Sequence, residues 1–122
     1  MANKHNARRV QVDGTWFASK NESQIYLLLK DKAEKGEIRD LVLQPKYELQ
    51  ASFKRNGKTI RKIEYIADFQ FVQDGKMVVV DAKSPSTEKD KAYRIKRKMF
   101  LNRYGDEVVF REMYANGKVV EY

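Results

Sequence analysis

The sequence predicts a single α/β domain in which helices pack on a mixed β-sheet. Segments 20–35 and 87–104 repeat apolar residues at helical spacing, whereas the segments between and after them alternate or run apolar in the manner of strands. The 122 residues leave room for one compact domain, and a hydrophobic content of 42% is enough to build its core.

Local signals place the elements in chain order. Residues 1–14 are polar and basic, so we expect either a loose N-terminal arm or a short edge strand ahead of a domain at 15–122. The first helix should end at Gly36, because glycine commonly ends helices. Turn signals at Asn56-Gly57 and Asp74-Gly75 predict hairpins. The strands are expected at 38–44, 46–53, 60–72, 76–83 and 107–114.

The charge balance predicts a polyanionic partner. The chain has 25 Lys+Arg against 17 Asp+Glu, which gives a formal net charge of +8 at pH 7 and a pI of about 9.6. Such an excess attracts the phosphates of a nucleic-acid backbone. Nucleic acid is therefore the first partner to expect.

Composition also excludes several kinds of chemistry. The chain has no cysteine and a single histidine, His5, so zinc–thiolate sites, thiol nucleophiles and multi-histidine metal sites within one protomer are excluded. Acid, base or metal chemistry must come from carboxylates and lysine. The longest apolar runs, 25–29 and 77–80, are too short to cross a bilayer. We expect a soluble cytoplasmic protein with no membrane partner.

Two aspartates are predicted to face each other across the hairpin that turns at residues 74–75. Counting back along both strands from an even-length turn places Asp68 opposite Asp81. Opposed carboxylates repel each other, so this pair calls for a cation. Lys83, on the same face as Asp81, is one candidate, and a divalent metal is another.

A hard ion such as Mg²⁺ suits this pair because it takes a few carboxylate oxygens and keeps several waters. An ion held by Asp68 and Asp81 would polarise a phosphodiester, and Lys83 would orient the attacking water or stabilise the developing negative charge. The predicted reaction is in-line hydrolysis of a phosphodiester. The alternative is a surface ion cluster in which Asp68 and Asp81 pair with Lys83 and neighbouring arginines without a metal.

At these positions the chain resembles a known nuclease core. Asp68, followed after an apolar strand by Asp81-Ala82-Lys83, resembles the PD-(D/E)XK core of restriction-endonuclease-like enzymes, and Glu22 matches the glutamate that this core carries on a helix. Ala67 stands where the superfamily name has proline, and Ser84 stands where glycine is expected after the lysine. Neither departure removes a metal ligand.

The chain is more closely similar to a small family of phage and prophage proteins regarded as Holliday-junction-resolvase-like nucleases. This likeness extends through the segments 13–22, 43–49, 68, 81–83 and 93–98. It implies a restriction-endonuclease-like mixed sheet flanked by helices, and cleavage of DNA, branched DNA in particular, in phage DNA processing and recombination. Symmetric cutting of two strands would need a homodimer.

The resemblance also implies roles for individual residues. Glu22, Asp68 and Asp81 would hold Mg²⁺ or Mn²⁺, and Lys83 would assist the nucleophile. The second helix carries seven basic and two acidic residues, and its buried stripe is predicted at Ala92, Ile95 and Met99, with Phe100 as a further candidate. Phosphate contacts are expected from the helix and the arm, through Lys96, Lys91, Arg94, Lys98, Arg8 and Arg9.

Several of these residues have a second, structural interpretation. Glu22 completes the pattern Ser19-Lys20-Asn21-Glu22, a capping box in which the glutamate closes the helix N-terminus. Gln44 either contacts the site or ends its strand, and Tyr93 either meets nucleic acid or packs in the core. Trp16 and Phe17 are predicted to pack and pin the arm.

Two other functions remain open at this stage. A nucleic-acid-binding protein could keep the nuclease fold without its chemistry, and it would show salt-sensitive binding with no metal-dependent nicking. A structural or regulatory phage protein could instead use the basic surface to bind an acidic protein.

Overall fold

The computed structural model describes residues 9–85, 87 and 89–122. Its helices are α1 (Lys20–Glu34) and α2 (Lys91–Tyr104). The strands are β1 (Val10–Val12), β2 (Thr15–Phe17), β3 (Arg39–Leu43), β4 (Lys46–Gln50), β5 (Phe53–Arg55), β6 (Lys58–Ile60), β7 (Ile63–Ile66), β8 (Phe69–Gln73), β9 (Lys76–Lys83), β10 (Val109–Tyr114) and β11 (Val119–Glu121). Neither described helix has the length and apolar character needed to span a bilayer.

A five-stranded sheet forms the centre of the molecule, with strand order β11-β10-β9-β8-β3. The pair β9–β10 is parallel, and the other neighbours in this sheet are antiparallel. Parallel neighbours need a long crossover, and α2 supplies it between β9 and β10. The predicted α/β class, a mixed sheet with helices packed on it, is confirmed.

The central strand β9 separates two hydrophobic clusters. Val78 and Val80 pack in one cluster with Ile25 of α1. Val79 points to the opposite face and packs with Phe100 of α2. Successive strand residues point to opposite faces, so the sheet is covered on one face by α1 and on the other by α2.

The hairpin β8–β9 has the predicted register. Both turn residues, Asp74 and Gly75, have positive φ angles of 51° and 77°, as a two-residue type I′ turn requires. The ladder pairs Gln73 with Lys76 at the turn, and it continues to the pair of Phe69 and Val80 at the far end. The next residue outward on each strand is an aspartate.

The long strand predicted at 60–72 is divided in the structure. It forms the end of β6, then β7, and then β8 after a bend at Asp68. Strand β7 pairs with β4 in a separate two-stranded sheet, whereas β8 belongs to the central sheet. The predicted strand 46–53 likewise ends at Gln50, and β5 pairs only with β6. The chain between β3 and β8 therefore leaves the central sheet as a two-stranded extension.

The N-terminal region follows the edge-strand alternative where the structure describes it. Strand β1 pairs antiparallel with β2, and Val12 packs against the α1-side core. Phe17 is buried as predicted, but the prediction for Trp16 is wrong, because its side chain is 52% exposed with the guanidinium of Arg9 over its ring. Arg8 lies outside the described residues.

Helix α2 begins at Lys91 rather than at residue 87, because Asp90 caps it by accepting a hydrogen bond from the Tyr93 amide. The predicted buried stripe is wrong at two positions, since Ala92 is exposed and Ile95 is 60% exposed. Tyr93 and Phe100 are the buried residues of the helix. The buried face of α2 differs from the predicted one because the Tyr93 hydroxyl donates a hydrogen bond to Glu112, a buried carboxylate on β10.

Helix α1 begins as the capping pattern predicts. Ser19 is extended, and its hydroxyl accepts a hydrogen bond from the Glu22 amide at 3.2 Å. We expect Ser19→Ala to lower the free energy of unfolding by about 1 kcal/mol, because the helix loses the partner of one terminal amide. Urea unfolding measures this change. Ser19→Asp, which keeps an acceptor, is the control, and equal losses in both variants would contradict the capping role.

Candidate functional site

Asp68 lies at the bend where β7 gives way to β8. Its backbone amide donates to the Val80 carbonyl at 3.1 Å, and its carbonyl accepts from the Gln44 amide at 2.9 Å. The side-chain oxygen Oδ2 accepts from the Ala82 amide at 2.7 Å. The carboxyl group is thus fastened to the end of β9, the strand that carries Asp81. Gln44 has a backbone contact to the site residue, and its side chain is exposed.

Asp81 and Lys83 form a buried ion pair on the face of β9 that α2 covers. Each residue is only 6% exposed, and the Lys83 Nζ lies 2.6 Å from Asp81 Oδ1. The hydroxyl of Tyr65 donates to the other oxygen, Oδ2. Burial raises the pKa of Asp81, although Lys83 and the tyrosine hydroxyl partly offset this effect by stabilising the anion. The surface ion cluster foreseen as an alternative is therefore buried rather than at the surface.

Of the two roles that the sequence left open for Glu22, the structure shows the helix cap, and the role as a metal ligand stays a prediction. Its Oε2 accepts from the Ala18 amide at 3.1 Å, which closes the N-terminus of α1. Its carboxyl group also lies close enough to Asp68 to raise the pKa of that carboxyl.

The pKa of Asp68 is raised well above the ordinary carboxyl value. Burial is the main cause, followed by the hydrogen bond with Glu22 and the negative charges of Asp81 and Glu22. The contribution of Asp68 to stability is therefore complete below its unfolded pKa and is lost as the pH rises through the raised folded pKa. A divalent cation would offset this loss, because it binds the deprotonated carboxylates.

The carboxylates have the right chemistry for Mg²⁺ or Mn²⁺, but they are not all assembled around one position. Oxygen ligands suit these hard ions. Within residues 9–85, 87 and 89–122, no three His, Asp or Glu side chains are grouped as ligands of a metal ion. Glu22 is close enough to Asp68 to raise its pKa, whereas Asp81 has both oxygens engaged by Lys83 and Tyr65. Binding by all three would require Asp81 to release one partner, so the three-ligand set stays a prediction.

A further buried carboxylate, Glu112, was missed by the sequence analysis. It lies directly across from Asp81 in the parallel ladder of β9 and β10 and is 3% exposed. Its Oε2 accepts from the Tyr93 hydroxyl at 2.6 Å and from Arg97 at 2.8 Å, and its Oε1 accepts from the Tyr122 hydroxyl at 2.8 Å. Only the parallel pairing of the two strands, which is not visible in the sequence, would have placed it beside the site.

Tyr93 connects this carboxylate to Lys83. The Lys83 Nζ lies 3.2 Å from the centroid of the Tyr93 ring, while the hydroxyl of the same ring is held by Glu112. A cation over an aromatic face is attracted by the ring quadrupole, and more strongly when it is shielded from water. Lys83 is thus held between the carboxylate of Asp81 and the ring face of Tyr93. The sequence prediction that Tyr93 packs in the core is confirmed.

The pKa values in this network favour one protonation pattern. Burial raises the pKa of Tyr93, and the charges of Asp81 and Glu112 raise it further, so the phenol stays protonated and donates. Burial also raises the pKa of Glu112, but hydrogen bonds from Tyr93, Tyr122 and Arg97 outweigh it, and the net shift is downward. Glu112 is therefore an anion that accepts three hydrogen bonds.

The predicted phosphate-binding residues occupy different environments. Lys91, Arg94 and Lys98 are exposed on α2, and Lys96 is half-buried. Arg9 is exposed at the start of β1. The neighbouring Arg97 forms an ion pair with Glu112. The exposed face of α2 remains basic, as the sequence predicts.

The fold and the buried groups define an α/β domain with three carboxylates and a lysine where α1, the bend and β9 meet. Residues 2–116 match the family described as "Protein of unknown function (DUF1064)", and the chain belongs to that family. No curated protein matches the chain. The crystal structure of a protein designated SSO0001 is similar, at 16% identity and a TM-score of 0.42, over 82% of this chain and 48% of that one. The chain spans about half the length of that structure.

Proposed function

We propose that the protein is a Mg²⁺- or Mn²⁺-dependent DNA endonuclease of the PD-(D/E)XK type. The observation that carries the proposal is the set of acidic and basic groups at one end of the sheet: Glu22 beside Asp68, and Asp81 paired with Lys83. Burying charged groups is costly and is typical of functional sites, where their pKa values are shifted. The order and spacing of these residues also resemble those of the nuclease core.

The residues have distinct roles in this proposal. Glu22, Asp68 and Asp81 hold the cation, which when bound supplies Lewis-acid stabilisation of the phosphate and lowers the pKa of water. The backbone amide of Ala82 keeps Asp68 oriented at the end of β9. Lys83 donates hydrogen bonds to the attacking water or to the phosphate oxygens as negative charge develops.

Tyr93 acts through Lys83 as a positioning residue. If Asp81 bound the cation, Lys83 would lose an anionic partner but would still have the ring face of Tyr93, which lies 3.2 Å from its Nζ. The ring is fixed by the bond from its hydroxyl to Glu112, so the ammonium group stays near the end of β9. A fixed donor loses less entropy on reaching the transition state than a mobile one.

The substrate proposed is DNA with a branched structure, such as a Holliday junction, processed in phage replication or recombination. The net charge of +8 and the exposed cations of α2 support a polyanionic substrate. The branched structure and a homodimer that cuts two strands symmetrically rest on the family resemblance alone.

The test is a cleavage assay on end-labelled four-way junction, flap, duplex and single-stranded DNA, each with Mg²⁺, with Mn²⁺ and with EDTA. We expect metal-dependent cleavage of at least one substrate and the fastest cleavage on a branched one. Complete absence of metal-dependent cleavage on all four would overturn the proposal.

One observation favours a second candidate, a nucleic-acid-binding protein without catalysis. Both oxygens of Asp81 are bound by neighbouring side chains, and in the part of the chain that the structure describes every buried side-chain nitrogen and oxygen has a partner. A site satisfied by its own residues is stable without a metal. In the same assay this candidate would bind DNA in a salt-sensitive manner and leave every substrate intact.

Variants of Tyr93 separate a positioning role from a packing role. Tyr93→Leu removes the aromatic face, and we expect cleavage at saturating DNA to slow by about tenfold, with little change in DNA affinity. Tyr93→Phe keeps the face and loses only the bond to Glu112, so its rate should fall by less than that of Tyr93→Leu, while it loses about 1–2 kcal/mol of stability. Equal rate losses in the two variants would contradict the role of the ring face.

A further inference from the structure

Beyond the cleavage site, we propose that residues 51–62, here called the basic hairpin, lie along the groove of duplex DNA next to the cleaved phosphate. The proposal rests on the proposed nuclease function for what is cleaved, and on the features of the hairpin for what is bound.

The basic hairpin projects from the body of the molecule. Every residue from 50 to 62 is exposed, and β5 and β6 pair with each other but with none of the other described strands. Asn56 and Gly57 have φ angles of 52° and 75°, so the tip is a tight type I′ turn rather than a loose loop. The hairpin is thus an ordered two-stranded ribbon that pairs with no other strand in the part of the chain that the structure describes.

The charge of the hairpin is all of one sign. Residues 51–62 include five basic and no acidic residues. Lys62 pairs with Glu64, but among the described residues none lies within ion-pair distance of the other four, Lys54, Arg55, Lys58 and Arg61. Basic residues elsewhere on the surface, such as Lys30 and Lys35, do have acidic partners. Four unpaired cations on one ribbon attract a polyanion.

The β4–β7 pair, which connects the basic hairpin to the rest of the molecule, begins at the candidate site. Strands β4 and β7 pair from Lys46 and Ile66 outward, and just inside this pair the Ala67 amide donates to the Pro45 carbonyl at 3.0 Å. Asp68 is the next residue of the chain. The β4–β7 pair therefore begins beside a proposed metal ligand, and the basic hairpin continues from its far end.

Helix α2 holds β4, the strand that leads into the basic hairpin. The backbone carbonyl of Glu48 in β4 accepts hydrogen bonds from Arg103 and from the Tyr104 hydroxyl, both at 2.8 Å. The ring of Tyr47 packs against Phe100 with a centroid distance of 5.0 Å. The β4–β7 pair is thus held on α2, and the basic hairpin extends beyond it.

The dimensions suit double-stranded DNA. An extended chain spans at most about 3.5 Å per residue, so the turn at Asn56-Gly57 reaches no more than about 40 Å from Asp68. One turn of B-DNA is about 34–36 Å long, and its major groove admits a two-stranded ribbon. Phe53 and Ile60, paired across the ribbon and 47% and 41% exposed, provide apolar surface for sugars and thymine methyls. Duplex DNA beside the scissile phosphate is the occupant that this combination fits.

Neutralising the hairpin tests the proposal without cleavage. In the variant Lys54→Gln/Arg55→Gln/Lys58→Gln, binding to a fluorescent duplex in EDTA should weaken by about tenfold or more, and the salt slope should fall by roughly 2–3 units. The matched control, Lys35→Gln/Arg39→Gln/Lys76→Gln, removes the same charge from other exposed positions and should bind as wild type does. Equal weakening in both variants would overturn the proposal, because the hairpin would then contribute only net charge.

A second measurement locates the hairpin on DNA. Since the chain has no cysteine, Thr59→Cys gives one attachment point for an iron–EDTA reagent. We expect its radical cuts on both strands of a duplex arm, within about one helical turn of the phosphate that the enzyme hydrolyses, and no cuts from the same reagent at Lys76→Cys. Absence of cuts from the Thr59 position, or binding of an acidic protein there that duplex DNA does not displace, would overturn the assignment.

The two proposals fail independently. If the wild-type protein binds duplex through the hairpin but hydrolyses no substrate in Mg²⁺, the nuclease proposal fails and the hairpin assignment stands. If it hydrolyses DNA and the two triple variants bind equally, the hairpin assignment fails and the nuclease proposal stands.

Discussion

Asp81→Asn is expected to reduce metal-dependent DNA cleavage by at least about a thousandfold while leaving DNA binding within about twofold of the wild type. The substitution removes the negative charge that would hold the cation, and it keeps the size of the side chain. The exposed cations of α2 are unchanged, so the electrostatic attraction for DNA remains. Single-turnover cleavage and fluorescence anisotropy in EDTA measure the two quantities separately.

The control for this variant must separate chemistry from folding. Asparagine still offers an acceptor to Lys83 and Tyr65, but the buried lysine loses its counter-ion, and some loss of stability is expected. Circular dichroism at the assay temperature shows whether the variant is folded. Asp40→Asn changes an exposed aspartate whose partner is Arg39 and should cleave at the wild-type rate. A folded Asp81→Asn variant that cleaves as fast as Asp40→Asn would refute the assignment of Asp81.

The second large effect is expected at Glu112. We predict that Glu112→Gln lowers the free energy of unfolding by roughly 3 kcal/mol at neutral pH, because Arg97 is left in a largely buried position without its counter-ion. The hydrogen bonds from Tyr93 and Tyr122 to a charged acceptor are weakened at the same time. Urea unfolding measures the loss.

The pH dependence gives this prediction a second readout. The pKa of Glu112 is lowered from its ordinary value of 4.5, so its stabilising contribution is present above the unfolded pKa and is lost as the pH falls through the folded pKa. The difference between wild type and Glu112→Gln should therefore shrink as the pH is lowered below about 4.5. Glu107→Gln, at an exposed glutamate, is the control and should show no such difference. A pH-independent difference for Glu112→Gln would contradict the role of its charge.

The features that the sequence predicts well are local. The register of β8–β9 follows from one two-residue turn, because strand periodicity carries that register outward to Phe69 and Val80. Helix α1 follows from a cap at Ser19 and a glycine stop at Gly36, and both signals lie within a few residues of the ends they define. The juxtaposition of Asp68 and Asp81 was foreseen for the same reason.

The features that were missed depend on contacts between distant segments. Glu112 approaches Asp81 only because β9 and β10 are parallel neighbours, and no turn between them reports that pairing. The rotation of α2 follows from this, since Tyr93 is buried where Glu112 can bind its hydroxyl. The bend at Asp68 is equally non-local, because β7 leaves the central sheet to pair with β4. Apolar periodicity alone predicts one continuous strand there.

The measurement that tests the central claim most directly is single-turnover cleavage of an end-labelled four-way junction by the purified protein in Mg²⁺, beside Asp68→Asn and an EDTA control. The account predicts rapid cleavage by the wild type in Mg²⁺, cleavage by Asp68→Asn slower by at least about a thousandfold, and none in EDTA. Cleavage by Asp68→Asn at the wild-type rate, or wild-type cleavage that continues in EDTA, would contradict it.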